Sequence, residues 1–206
     1  MTDLTLFHTA EVHRATFDAL AARIAPDARL DHVVRPDWLA RAQGGIGDDL
    51  AAEIIRTIAA KPASLCTCTT IGAVAAEAGA IRIDWPMMQA AARCDGEVLL
   101  VFCLDSTRVP STALLCEAFQ QEGRPAHHRA LALPELWPMF TAGDSDGFAR
   151  AIAKRIDAEL DLWPDIACVV LAQASMAGAA VYTRAPVPVL SSPDLALRAA
   201  FGLTTP

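Results

Sequence analysis

The chain has 206 residues, of which 53% are hydrophobic and 20% charged, and its formal net charge is −7. This composition is typical of a compact globular protein and excludes general disorder. The acidic balance and the presence of only two lysines, Lys61 and Lys154, exclude the basic surface on which nucleic-acid binding depends.

The longest unbroken apolar runs, 98–104 and 166–172, have the length of strands. They fall short of the roughly 18 residues that a membrane-spanning helix needs, so we expect no membrane partner. Residues 1–5 contain no basic segment followed by an apolar one, and we therefore expect a cytoplasmic protein. In that compartment the 6 cysteines are expected to be reduced thiols rather than a disulfide framework.

Along the chain, short apolar runs alternate with longer amphipathic stretches, a pattern typical of an α/β protein with mainly parallel sheet. The predicted strands are 4–7, 30–34, 64–68, 80–83, 98–104, 128–133, 167–172 and 187–190. The predicted helices are 12–24, 48–60, 72–78, 87–94, 111–122, 146–162 and 193–201. Between them, residues 134–147 form a predicted irregular excursion that either covers a pocket or joins a dimer.

The predicted elements fall into two similar series, each with polar residues after its first and third strands. We therefore predict two three-layer α/β/α halves with mainly parallel sheets, related by a pseudo-twofold axis with a cleft between them. The first domain is predicted to comprise 1–95 plus 186–206 and the second 96–185. Because ligands bind beyond the carboxyl ends of parallel strands, the polar strand ends are expected to face this cleft.

The third strand ends in a segment rich in thiols and hydroxyls, Ser64–Gly72, just before a predicted helix. Backbone N–H groups at such a turn bind carboxylates and lower the pKa of a thiol. We therefore predict Cys68 as a base or nucleophile and Cys66 as a buried structural residue. Cys66 and Cys68 could offer two zinc ligands, but zinc needs a second close pair and only His127 and His128 offer one, so no metal is predicted.

At this point the residues resemble the cofactor-independent aspartate/glutamate racemase superfamily, which includes hydantoin racemases, maleate isomerases and arylmalonate decarboxylases. Cys68-Thr69-Thr70 is similar to the first cysteine motif of that family, and Asp105-Ser106-Thr107 resembles its carboxylate-binding turn. The resemblance implies a small carboxylate substrate, no cofactor and a homo-oligomer, with a dimer as the favoured state. The predicted substrate-binding residues are His8, Thr9, Thr67, Thr69, Thr70, Asp105, Ser106, Thr107, Ala174 and Met176.

The second cysteine motif of the family differs in this chain. The segment Val170–Ala177 is similar to the one that carries the second cysteine in hydantoin racemases, but Gln173 stands at that position. An amide neither removes nor returns a proton near neutral pH, and Ser175 would need a neighbouring base. The predicted catalytic residues are Cys68, Gln173 and Ser175, and four alternatives remain open: racemisation, one-base decarboxylation, cis-trans isomerisation, or carboxylate binding without catalysis.

Overall fold

The computed structural model describes residues 3–203, so the predictions made for residues 1, 2 and 204–206 lie outside the described part of the chain. The chain forms two compact units, Met1–Pro86 with Pro193–Pro206, and Met87–Ser192. The domain boundaries at 95/96 and 185/186 and the cleft between the halves stay predictions. Within residues 3–203, no helix is both long and apolar enough to cross a membrane.

The first unit contains one sheet of four parallel strands in the order β2-β1-β3-β4. In chain order its elements are β1 (Leu4–His8), α1 (Val12–Ile24), β2 (Leu30–Val34), α2 (Pro36–Ala42), α3 (Asp48–Ala59), β3 (Ser64–Cys66), α4 (Gly72–Glu77) and β4 (Ile81–Arg82). Strand β1 is buried along its whole length, as a central parallel strand must be. Helix α3 packs on the sheet through Leu50, Ile54 and Ile58, which recur at the four-residue spacing of one helix face.

The second unit repeats this order, with four parallel strands in the order β6-β5-β7-β8. Helix α5 (Trp85–Ala92) begins in the last residues of the first unit and continues into the second. The other elements of the second unit are β5 (Glu97–Phe102), α6 (Asp105–Gln121), β6 (His128–Ala132), α7 (Trp137–Thr141), α8 (Ser145–Leu162), β7 (Ile166–Leu171) and β8 (Val189–Ser191). The chain then enters α9 (Ser192–Ala200). Two parallel sheets with flanking helices confirm the predicted α/β fold.

Several elements differ from the prediction. Residues 134–147, predicted to be irregular, contain the 3₁₀ turn Pro134–Leu136, α7 and the first residues of α8. Helix α6 begins at Asp105 instead of 111, because Pro110 is accommodated inside its first turns. Helix α2 lies in a segment that was not predicted as helical. It starts at Pro36, whose fixed φ suits a first helical position. Strand β3 ends at Cys66, so Thr67 and Cys68 lie in the loop before α4.

Gly96 marks the turn into β5 and gives a stability prediction. Its φ is +149°, and a Cβ added there would lie 2.8 Å from the Cβ of Ala167 and 3.3 Å from the carbonyl oxygen of Asp165. Gly96→Ala is therefore expected to lower the free energy of unfolding by about 2–4 kcal/mol, because steric overlap adds to the backbone strain. Gly143→Ala is the matched control: φ is +85° there, with no heavy atom within 4 Å of an added Cβ. If the two variants lose the same free energy of unfolding in urea, steric overlap at Gly96 makes no contribution.

Candidate active site

The carboxyl ends of β1 and β3 lie side by side in the first unit and bring several predicted site residues together. Phe7 is the register partner of Cys66, and the backbone N–H of Thr67 donates to the carbonyl of Phe7 at 2.9 Å. His8, the last residue of β1, and Thr9 after it therefore lie beside Thr67 and Cys68. All four side chains are buried.

The Cys68 thiol is surrounded by hydrogen-bond donors. They are the hydroxyls of Thr9 and Thr70 and the backbone N–H groups of Thr70 and Ile71. Burial nevertheless raises the pKa of the Cys68 thiol, and these donors only partly oppose that effect. The expectation of a lowered thiol pKa is therefore wrong, because the loss of solvation outweighs the donors. Burial thus favours the neutral thiol of Cys68, and hydrogen-bond donors for its anion are already in place.

Cys66 and Thr69 complete the loop around the thiol. Cys66 is fully buried in the core of the first unit, where its Sγ lies 3.6 Å from the carbonyl oxygen of Cys68. Burial raises the pKa of Cys66 far above its ordinary value, in keeping with the structural place predicted for it. Thr69 is buried as well, and its carbonyl accepts from the N–H of Gly72, which fixes the turn into α4.

His8 was predicted to contact substrate, but the structure gives it other partners. Its Nδ1 lies 2.9 Å from Oγ1 of Thr67, and its Nε2 lies 2.8 Å from Nδ1 of His32. The side chain is fully buried, and burial together with the neighbouring His13, His32 and Arg14 lowers its pKa to about 3. Because both ring nitrogens are engaged, neither is offered to a ligand in this structure.

Arg82 and Asp84 form a second polar group in the same unit. Nε and Nη2 of Arg82 donate to the two carboxylate oxygens of Asp84 at 3.1 and 3.0 Å. The Asp84 side chain is 1% exposed, so this paired geometry satisfies a buried charge. Asp84 precedes α5, as a capping residue would, yet both of its oxygens bind Arg82. Gly72 leaves room for that guanidinium, since a Cβ there would lie 3.1 Å from Nε.

In the second unit, Gln173 joins the ends of β5 and β7. Its Oε1 accepts from the backbone N–H of Cys103 at 2.6 Å and from that of Leu104 at 3.0 Å, directly before α6. Gln173 is buried, so its carbonyl satisfies two N–H groups at the point where the resemblance implies a carboxylate-binding turn. These bonds explain an amide at this position without any catalytic role.

The other predicted residues of the second unit fall into two groups. Asp105, Ser106 and Thr107 form the first turn of α6, where Asp105 is exposed and pairs with Arg108 at 3.2 Å, whereas Thr107 is buried. The remaining three lie in a 3₁₀ segment, Ala174–Val181: Ala174 is buried, Ser175 is half-buried and Met176 is fully buried in the core of the unit. Met176 thus packs against apolar neighbours and does not present its side chain to a ligand.

A metal site is not formed by the described residues. Across residues 3–203, no group of three or more His, Cys, Asp or Glu side chains is arranged to hold a metal ion. Cys66, one of the two thiols that suggested zinc, instead lies in the apolar core of its unit.

Gln173 supports a stability prediction. Gln173→Ala leaves two backbone N–H groups without an acceptor, so we expect the free energy of unfolding to fall by about 2–3 kcal/mol. Gln173→Cys, which would restore a second thiol, is expected to lose a similar amount because its side chain is too short to reach them. Gln173→Glu keeps an acceptor of the same length and is the control, with a smaller loss in urea unfolding. Equal losses for Ala and Glu would contradict this account.

No protein-family model matches the chain, and no curated protein matches it in sequence. Solved structures do match. Glutamate racemase from Francisella tularensis, solved with D-glutamate, has a TM-score of 0.67 and 14% identity over 100% of this chain and 84% of its own. Allantoin racemase from Klebsiella pneumoniae has a TM-score of 0.64 and 20% identity over 100% and 91% of the two chains.

An arylmalonate decarboxylase mutant in a sulfate-associated form matches with a TM-score of 0.54 and 14% identity, over 97% of this chain and 91% of its own. An aspartate racemase is also among the matches. The chain thus has the α/β fold that these racemases and the decarboxylase share. The fold that the resemblance implies is thus confirmed.

The site also contains two residues that the sequence analysis missed, His32 and Asp18. They lie on β2 and α1, and His32 bridges His8 and Asp18. Each is a single polar residue in an ordinary strand or helix, so no local motif marks it. His32 comes close to His8 through the register of β1 and β2, which pairs His8 with Val34 and Leu6 with His32. That register is known from the structure.

Proposed function

We propose that this protein is a cofactor-independent, racemase-like enzyme that acts on a small carboxylate and uses Cys68 as its proton-transferring group. The observation that carries the proposal is the set of four donors around a buried thiol at the carboxyl ends of two parallel strands. The fold shared with racemases supports the proposal independently.

The Cys68 thiol is suited to act as a proton donor. Because burial keeps Cys68 protonated near neutral pH, it can protonate a carbanion formed next to a substrate carboxylate. The thiolate left behind would accept hydrogen bonds from the hydroxyl of Thr9 and the N–H groups of Thr70 and Ile71, which are already in place. It would then act as the base for the reverse step.

A second candidate function is one-base chemistry, either decarboxylation or cis-trans isomerisation. Gln173 favours it, because an amide whose carbonyl is engaged by two N–H groups cannot act as the opposing acid or base that racemisation needs. A decarboxylase needs a single proton donor, and a cis-trans isomerase needs a single thiolate that adds to a double bond and leaves again. Ser175 would be the opposing group only if a neighbouring base activated it.

A substrate panel in D₂O separates these functions. The protein would be incubated with aspartate, glutamate, a hydantoin, maleate and an arylmalonate, and each reaction followed by ¹H NMR and chiral chromatography. Exchange of the α-proton with formation of both enantiomers supports racemisation. Fumarate formed from maleate supports cis-trans isomerisation, and an arylmalonate decarboxylation product with deuterium on one face supports one-base decarboxylation. Binding without turnover of any compound would reject both in favour of a non-catalytic carboxylate-binding protein.

A further inference from the structure

Two thiols of the second unit, those of Cys94 and Cys168, contact each other. Cys94 lies just after α5 and Cys168 lies on β7, and their side chains are hydrogen-bonded. The S–H of Cys94 donates to the carbonyl of Ala90, whose oxygen lies 3.6 Å from the sulfur. Because a thiol has a single hydrogen, the S–H of Cys168 is the donor between the two sulfurs. Both cysteines are free thiols in the structure.

The backbone that carries Cys94 is held beside β7 by contacts that involve neither thiol. Cys168 is the register partner of Val98, and the register between β5 and β7 shifts just before that pair. At this irregularity the turn at Gly96 packs so closely on β7 that a Cβ added there would lie 2.8 Å from the Cβ of Ala167. Cys94, two residues before that turn, is therefore kept near β7 by the fold of the unit.

Arg124 fixes the same segment through three hydrogen bonds. Its Nη1 donates to the carbonyls of Ala92 and Cys94, each at 3.0 Å, and its Nη2 donates to a carboxylate oxygen of Asp95 at 3.0 Å. The backbone on both sides of the Cys94 side chain is thus held in place. Two groups that are held in contact react as if each were present at a high local concentration, which favours a bond between these two sulfurs.

The two thiols differ in their access to solvent. Cys168 is fully buried, and burial raises the pKa of its thiol, so a dissolved oxidant does not reach it directly. Cys94 is half-buried, so an oxidant as small as hydrogen peroxide can reach its sulfur. The pair therefore combines one accessible thiol with one sheltered thiol in contact with it.

We propose that Cys94 and Cys168 form an oxidisable thiol pair, which hydrogen peroxide converts into a reversible disulfide within the second unit. In the first step the Cys94 sulfur attacks one peroxide oxygen: an S–O bond forms, the O–O bond breaks, and the thiol proton leaves with the other oxygen as water. In the second step the Cys168 sulfur attacks the sulfur of this sulfenic acid. An S–S bond replaces the S–O bond, and the Cys168 proton leaves with the hydroxyl group as water.

The proposed pair would keep the oxidation of Cys94 reversible. A sulfenic acid without a neighbouring thiol is oxidised further to a sulfinic acid, which thiol reagents do not reduce, whereas a disulfide is reduced by a small dithiol. The inference does not rest on the proposed function, because it involves neither Cys68 nor Gln173. Its failure and the failure of the proposed reaction are therefore separate results.

The test is peptide mapping of the Cys116→Ser protein, which lacks the exposed cysteine of α6 and keeps five of the six cysteines. The folded protein is treated with a small excess of hydrogen peroxide, denatured and alkylated with iodoacetamide. We expect the number of alkylated cysteines to fall from five to three, and dithiothreitol to restore it. Mass spectrometry should find a linked peptide pair containing Cys94 and Cys168, about 2 Da lighter than the two reduced peptides. Protein unfolded in urea before the peroxide is added should lose the preference for this pair.

Two variants in the same background separate the roles of the thiols. Cys94→Ser should leave Cys168 unoxidised, because peroxide does not reach a buried sulfur. Cys168→Ala should leave Cys94 as a sulfenic acid that dimedone labels and that excess peroxide oxidises to the sulfinic acid. The mapping of the Cys116→Ser protein decides the proposal even if Cys168→Ala does not fold. Sulfinic acid at Cys94 beside an alkylatable Cys168, or a link between Cys66 and Cys68 in its place, would overturn the proposal.

Discussion

Replacing Cys68 by serine is expected to reduce turnover by about 10²–10⁴-fold on whichever compound of the panel is accepted. The hydroxyl has nearly the same size, so Thr9, Thr70 and Ile71 can still surround it, but it gives up its proton far less readily than a thiol. The unfolding free energy is expected to change by less than about 1 kcal/mol, since no cavity is created. Loss of activity with an intact fold would therefore report on the chemistry of the thiol.

Cys116→Ser is the matched control for this experiment. Cys116 is the exposed cysteine on α6, and its replacement removes a thiol without touching the loop around Cys68. We expect full turnover from this variant. In D₂O the native enzyme should place deuterium on one face of a decarboxylation product, because one thiol approaches from one side. A Cys68→Ser variant with native rates, or efficient racemisation by the unmodified protein, would refute the single-thiol mechanism.

Acidification is expected to destabilise the protein steeply below pH 6.5. Burial lowers the pKa of His8 to about 3 and that of His13 to about 4, from ordinary values near 6.5. Between pH 6.5 and 5 the unfolded chain takes up both protons while the folded protein takes up neither. The free energy of unfolding therefore falls as the pH falls, by at most about 1.4 kcal/mol per pH unit for each histidine.

Between pH 6.5 and 5 the free energy of unfolding is expected to fall by about 3–4 kcal/mol in total. This is a large part of the roughly 5–15 kcal/mol by which an ordinary domain is stable. Carboxylates remain mainly ionised in this window, so the slope reports on the histidines. Urea unfolding at several pH values measures it. His13→Gln should remove about half of the slope, and the exposed His127→Gln none of it. A flat profile, or equal slopes for native and His13→Gln proteins, would contradict the effect of burial.

Regular elements were predicted well where a local pattern carries the information. The limits of β2 and α1 agree with the predicted 30–34 and 12–24, because a run of apolar residues and a helical period each depend on neighbouring positions. The start of α6 was predicted wrongly. The predicted helix 111–122 began just after Pro110, but the helix accommodates this proline and begins at Asp105.

The candidate site was predicted in part. The sequence placed Thr9 after the first strand and Cys68 and Thr70 at the end of the third, where ligands of parallel sheets bind. The pairing of β1 with β3, which brings them together, and the end of β3 at Cys66 came from the structure. The sequence also predicted that the turn before the helix at 72 would supply backbone N–H donors to the thiol of Cys68. The direction of the thiol pKa was wrong, since the depth of burial is a property of the packed unit and leaves no trace in the motif.

Short-range sequence patterns were enough to predict the α/β class, the repeated order of strands and helices and the thiol-rich loop. The partners of the polar residues, in contrast, depend on the packed structure. Gln173 satisfies two N–H groups some seventy positions away in the chain, and His8 joins Thr67 to His32 and Asp18. A buried polar group must find a partner wherever packing brings one within about 3 Å, and that distance is set by the fold as a whole.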